Sequence, residues 1–245
     1  MLFRVWKDSS HRPTRDLDLL GFGPAETSAL ESIFRELCSL PVDPDGLVYL
    51  PATVKAEVIR EEAVYGGIRV TVGARLENAK IPIQCDVGFG DAVTPGPDYI
   101  KFPALLDFPA PLLRSYPTYT VVAERLEAMV LLGEANSRMK DFYDLWFLSQ
   151  QFDFDGETLV EAIRATFARR KTKLPAATPL ALTAEFPAIK SVQWNAFIRK
   201  SNLPQLEMSA VIDAIRQLAK APLAHASRSE SLRKHWTAKK GWRER

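Results

Sequence analysis

The stretch RPTRDLDLLGFG, Arg12–Gly23, sets two aspartates, Asp16 and Asp18, one residue apart in an apolar run that breaks at glycine. Alternation of this kind is a strand signal, and successive side chains of a strand point to opposite faces. Asp16 and Asp18 therefore share one face while Leu17 and Leu19 turn to the other. Two carboxylates held together repel unless one takes up a proton or a cation lies between them. A hard cation such as Mg²⁺ takes oxygen ligands, usually one or two carboxylates with waters and substrate phosphates. Spacing alone leaves two readings open: a metal site for phosphate chemistry, or a strand that ends in exposed polar residues.

Outward from this stretch the patterns are mixed. LFRVWKD, before it, reads as an amphipathic helix tail or strand closed by the SSHRP turn. After it, PAETSALESIFRELCSLP has Pro24 at a plausible helix start and Leu30, Ile33, Phe34 and Leu37 at helix-face spacing. GLVYL, VKAEVI, IRVTVGARLE and KIPIQCDVGF are short β-branched runs between Asp-Gly, Gly-Gly and Asn-Ala turns, which predicts a strand meander. In the last run Ile81, Ile83, Cys85 and Val87 fall on one face, and Gln84 and Asp86 on the other. If this strand neighbours the DLD strand, Asp86 makes a third carboxylate, the number used by two-metal phosphoryl or nucleotidyl transfer. Asp91 reads as a loop cap.

The segment FPALLDFPAPLLRSYP, Phe102–Pro117, is dense in proline and reads as a connector, which puts an α/β domain at 1–115 and a helical domain at 116–245. Helices are predicted over TVVAERLEAMVLL, ending at Gly133; over SRMKDFYDLWFLSQQF, with Ser137 as cap; and over GETLVEAIRATFARRK and EMSAVIDAIRQLAKA. The fold class is thus α+β, a small mixed sheet followed by a helical bundle. In the second helix Asp141 and Asp144 stand at i, i+3, and Lys140 and Asp144 at i, i+4, opposite a core stripe of Met139, Phe142, Leu145 and Trp146. AERLEAM places Arg125 between Glu124 and Glu127, by default a solvated face. The terminal RSESLRKHWTAKKGWRER mixes basic residues with Trp236 and Trp242. That pattern suits either a grip on nucleic acid or a terminal helix that docks its tryptophans on the bundle, and burial habits favour docking.

Composition bounds the function. The 245 residues carry a formal net charge of +2, so no global basic field argues for nucleic acid. Cys38 and Cys85 lie far apart with no zinc-ligand spacing, and no apolar run reaches the length of a membrane span. The expectation is a cytoplasmic protein without a membrane anchor. His11, His225 and His235 lack metal-ligand spacing and read as surface residues.

Taken in order, RPTRDLDLLGFG, IPIQCDVGFGDAV, VVAERLEAMVLLGEANSRMKDFYDLWFL and AIRATFARRKT resemble the AbiEii-type nucleotidyltransferase toxins of bacterial type IV toxin–antitoxin systems, relatives of the MenT toxins. The resemblance implies a polymerase-beta-like core, a helical C-terminal domain and Mg²⁺-dependent transfer of a nucleotide from an NTP, with the tRNA end among the acceptors and a cognate antitoxin as partner. By position it implies that Asp16, Asp18 and Asp86 bind two metals, that Asp141 and Asp144 belong to the catalytic set, and that Arg125, Arg138 and Lys140 contact the nucleotide. Arg125 stands where the family has lysine; it keeps the charge with a different geometry. The family's Gly-Ser or Gly-Ala turn before the acidic pair is not found, so the chain reads as an N-terminally shortened member. That leaves a rival expectation, an impaired member that binds RNA or a partner through its basic tail, and a third, a metal-dependent nuclease.

Overall fold

The computed structural model describes residues 17–60, 66–104 and 107–244. LFRVWKD, His11 and Asp16 therefore lie outside the described residues. The chain divides into two compact units, the first ending at Asp91 and the second running on from Ala92.

The first unit contains β1 (Leu17–Gly21), α1 (Thr27–Leu37), β2 (Leu47–Arg60), β3 (Gly66–Leu76) and β4 (Ala79–Phe89). The sheet order is β1-β4-β3-β2, with β1 parallel to β4 and the other pairs antiparallel. GLVYL and VKAEVI are one strand, not two: β2 runs through both, with a register shift between Leu50 and Lys55. Thr53 stabilises the irregularity, donating to the Leu50 carbonyl at 2.7 Å and accepting the Gly73 N–H at 2.8 Å. Gly73 leaves room for this contact, since a β-carbon would stand 3.0 Å from the Thr53 hydroxyl.

Val54, Ile68, Val70, Val72, Cys85 and Val87 form the core of this unit, with Leu17, Leu30 and Phe34 packed against it. Ile33 and Leu37, on the predicted face of α1, remain about half exposed. The helix is also held by polar contacts. Among the described residues β2 is an edge strand, with backbone groups that face no further strand. Glu31 accepts the Ala56 N–H at 2.9 Å, and Arg35 donates to the Val54 carbonyl at 3.3 Å and to Glu31 at 2.7 Å. Burial pushes the Cys85 thiol up, with Asp86 and Cys38 adding to the effect.

The second unit opens with a hairpin of β5 (Asp98–Lys101) and β6 (Leu112–Ser115), so the proline-dense segment includes a strand of this unit. Then come α2 (Thr118–Leu132), α3 (Met139–Gln151), β7 (Phe154–Asp155), α4 (Gly156–Arg169), α5 (Phe186–Lys200), α6 (Met208–Arg228), β8 (Lys234–Thr237) and β9 (Gly241–Glu244). Gly133, at φ 49°, ends α2 as its sequence position suggests. Ser137 does not cap α3. The N-cap position falls to Arg138, with no side-chain cap, and Asn136 Oδ1 accepts the Arg138 N–H at 2.9 Å in an Asx turn that leads into the helix. At α4 the Asp155 carboxylate accepts the Thr158 N–H at 3.0 Å. Val122, Leu126, Met129, Phe142, Leu145, Leu148, Phe167 and Ile215 are essentially inaccessible, each contributing roughly 1.5–3 kcal/mol by its removal from water.

The C-terminal segment corrects the expectation of a terminal helix: it is a β8–β9 hairpin joined to β7. The tryptophans do dock, and each donates to a backbone carbonyl. Trp236 Nε1 meets the Ser149 carbonyl at 3.1 Å, in the last turn of α3 where carbonyls lack helical partners. Trp242 Nε1 meets the Leu218 carbonyl at 3.0 Å. That carbonyl would ordinarily accept from residue 222, but Pro222 has no N–H to give. α6 thus runs past its proline to Arg228 with the freed acceptor satisfied. Among the described residues no helix is long and apolar enough to cross a membrane.

Candidate active site

In the first unit the pairing of β1 with β4 decides the geometry. The parallel register sets Asp18 opposite Asp86, with Leu17 opposite Cys85 and Leu19 opposite Val87. Cys85 and Val87 are core residues, so Asp18 and Asp86 emerge together on the other face. The antiparallel register continues the row, Asp86 opposite Arg69 and Arg69 opposite Glu57. One line of side chains thus crosses all four strands in the order Asp18, Asp86, Arg69, Glu57. Three acids and one base leave the row negative.

Asp86 is gripped along this row. Arg69 Nε donates to its Oδ1 and Nη2 to its Oδ2, both at 2.8 Å, a bidentate fork. The pair is partly shielded, with side-chain exposures of 34% for Arg69 and 21% for Asp86, whereas Asp18 is exposed. Gly88, two residues past Asp86 on the same face, contributes no side chain; a β-carbon there would lie 3.7 Å from an Asp91 carboxylate oxygen. Asp91 therefore sits beside the row.

Asp18 and Asp86 suit a divalent cation: adjacent hard oxygen donors on one face, open to solvent at Asp18, with one guanidinium against them. Among the described residues no group of three or more His, Cys, Asp or Glu is arranged to hold a metal ion, and Asp16 lies outside them.

In the second unit the charges of α2 and α3 form a network. Arg125 donates to Asp144 Oδ2 from Nη2 at 2.7 Å and from Nε at 3.3 Å, and its Nε lies 3.9 Å from Asp141. Arg138 Nε is 2.8 Å from the other Asp141 oxygen. Asp141 and Asp144 are buried, so α3 buries its acidic face as well as its apolar stripe. Burial alone would lower the Arg125 pKa, but Asp144, Asp141 and Glu124 more than offset it and hold the guanidinium above its ordinary value. Lys140, by contrast, is exposed.

The expectation that AERLEAM is a solvated face is overturned. Glu127 is 1% exposed, accepting from Arg170 at 3.0 Å and from the Thr172 hydroxyl, while Arg170 also lies 3.4 Å from Glu124. Arg170 comes from the ARRKT run at the end of α4, a partner that helical spacing within α2 cannot disclose. His225 bonds through Nδ1 to the Ala221 carbonyl at 2.9 Å, and His235 lies 3.7 Å from Asp153.

Arg69 is the residue that motif reading missed. Its signal was the alternation of GIRVTVGARL: Ile68, Val70 and Val72 go to the core, which turns Arg69 to the face of Asp86.

Comparison with known proteins puts the chain among the nucleotidyltransferases. A family model described as the nucleotidyl transferase AbiEii toxin, type IV toxin–antitoxin system, matches residues 1–221. The chain belongs to that family of nucleotidyltransferase toxins. Among solved structures it is similar to JHP933 from Helicobacter pylori, at 11% identity and a TM-score of 0.47 over 89% of this chain and 78% of that one. A second H. pylori protein, described as a nucleotidyltransferase, matches at 10% identity and the same TM-score over 94% and 87%. None of the curated proteins matches significantly.

Proposed function

We propose that this toxin transfers a nucleoside monophosphate from an NTP to the end of an RNA, tRNA being the favoured acceptor, and that Asp16, Asp18 and Asp86 hold the Mg²⁺ the reaction requires. The observation that supports this most directly is the register of Asp18 with Asp86 on adjacent parallel strands. In the reaction the acceptor hydroxyl oxygen bonds to the α-phosphorus, the α–β anhydride bond breaks and pyrophosphate leaves. When bound, divalent metal would supply charge neutralisation at the phosphates and a lower pKa for the hydroxyl. Asp86 is the carboxylate we assign to receive the hydroxyl proton, and Asp18 fixes the approach by its place opposite it. Catalysis by this chain is thus positioning and charge complementarity, with no covalent protein intermediate.

In the second unit we assign Arg138 and Lys140, whose side chains reach solvent, to phosphate contacts. Arg125 is their buried support, held by Asp141 and Asp144. A cognate antitoxin is the protein partner the family implies, and the cytoplasm, where NTPs and tRNA meet, is the compartment. The test incubates the purified protein with Mg²⁺, each labelled NTP in turn and total tRNA. Label should extend the RNA with one of the NTPs, and Asp18→Ala should abolish it. No transfer by the wild type, undiminished transfer by Asp18→Ala, or shortened instead of lengthened RNA would overturn the reading.

A further inference from the structure

We propose that Arg69 is a positioning residue that competes with the metal for Asp86, keeping the carboxylate row closed to free cations until a nucleotide arrives; this rests on the metal reading above. Both oxygens of Asp86 are engaged by one guanidinium, Nε to Oδ1 and Nη2 to Oδ2 at 2.8 Å. The fork also fixes the plane of the carboxylate, because a bidentate pair admits one relative orientation. Asp18 and Asp86 flank each other in register, and Arg69 stands on the far side of Asp86 in the same row.

A divalent ion entering between Asp18 and Asp86 is therefore drawn by the carboxylates but meets one repulsive charge, the guanidinium already seated on Asp86. It must either displace the guanidinium or share Asp86 with it through the lone pairs the fork leaves open. A metal carried by a triphosphate meets a different balance. The phosphates bring several negative charges, and a guanidinium matches phosphate as well as it matches carboxylate. Arg69 then has an alternative partner, and Asp86 is released to the metal. Nucleotide and metal thus favour each other's binding, and the coupling is reciprocal. Lysine in this position would keep the charge but not the fork, and a neutral side chain would keep neither.

The experiment titrates the full chain with Mn²⁺ alone, following free Mn²⁺ by electron paramagnetic resonance. Arg69→Gln should bind Mn²⁺ roughly tenfold more tightly than the wild type, the size expected for removing one unit charge beside a divalent ion at water-like screening. Arg69→Lys should stay close to the wild type, and Arg69→Gln combined with Asp86→Asn should lose the gain. Arg69→Thr, a good strand former at a strand position, repeats the test if the glutamine variant does not fold. In transfer assays the Mg²⁺ concentration for half-maximal rate should fall in Arg69→Gln while the KM for NTP rises. Unchanged or weaker Mn²⁺ binding by folded Arg69→Gln and Arg69→Thr, against a wild type that binds, would overturn this role and leave the metal reading intact. No Mn²⁺ binding by any of these proteins would overturn both.

Discussion

Removing Asp144 should unfold the second unit early, because it would strand a buried cation. Asp144 is fully inaccessible and the Arg125 side chain is 18% exposed, with 2.7 Å between Nη2 and Oδ2. Arg125 cannot escape by losing its proton, since a guanidinium stays protonated in proteins. Breaking a buried pair from one side costs about 3–5 kcal/mol. Asp141, 3.9 Å from Nε, takes up part of the deficit and places Asp144→Ala near the lower end, about 3 kcal/mol. For a unit of this size that lowers Tm by roughly 6–12 °C. Trp146, Trp194, Trp236 and Trp242 all lie in this unit, so tryptophan fluorescence against temperature or urea follows its unfolding. Replacing both members, Arg125→Met with Asp144→Leu, should recover most of the loss, since it leaves no lone charge. A cost for Asp144→Ala below about 1 kcal/mol, or a double variant no better than the single one, would refute the account.

Trp242→Phe removes the donor that serves the carbonyl freed by Pro222, and should cost about 1–3 kcal/mol in urea unfolding. In a Pro222→Ala background, where residue 222 can donate to Leu218, the same change should cost less, and a double-mutant cycle reads the difference. Gly156→Ala should destabilise the second unit by about 1–3 kcal/mol, because the new β-carbon meets the Leu232 carbonyl and lies 2.7 Å from that of Lys234, both backbone atoms. Glu31 has its pKa lowered by the Ala56 N–H first and by Arg35 second. Its contribution to the first unit is therefore present above the ordinary carboxylate range and lost as pH falls through the lowered value. Glu31→Gln should thus shift the urea midpoint at pH 7, and the shift should shrink as pH is lowered below the ordinary carboxylate range. Cys85, buried and with its thiol pKa raised, should react with a maleimide at pH 7 only as fast as the first unit opens, which mass spectrometry of timed samples measures.

The strands that carry the row were legible because each alternates cleanly: Leu17 and Leu19 around Asp18, Cys85 and Val87 around Asp86. Period-2 patterning states which face a residue takes. What it leaves open is which strand lies next to which, so the Asp18–Asp86 register could be posed only as a condition, and Arg69, from a third strand, went unnoticed. In the helical unit, Gly133 and the apolar stripe of α3 announced themselves by local rules. α5 did not, because its buried face reads Phe186, Lys190, Trp194, Ile198, and a lysine interrupts the apolar period. The C-terminal hairpin was hidden for a different reason. KHWTAKKGWRER has the length and charge of a short helix, and only the carbonyls of Ser149 and Leu218, far away in sequence, give its tryptophans their places. The burial of Asp141 and Asp144, which spacing sets opposite the core stripe of their own helix, was not legible because their partner Arg125 comes from another helix.

The parallel pairing of β1 with β4 also bears on how the first unit comes together. β2, β3 and β4 follow one another as antiparallel neighbours and can zip up through short turns. β1 must instead close a loop that contains α1, β2 and β3 before its first ladder bond forms, and closure of a long loop is entropically slow. Asp18 is therefore expected to reach Asp86 late in assembly, after the β3–β4 hairpin has matched Asp86 to Arg69. On the site proposed above, the pair of carboxylates assigned to the metal would then be complete only when this strand docks.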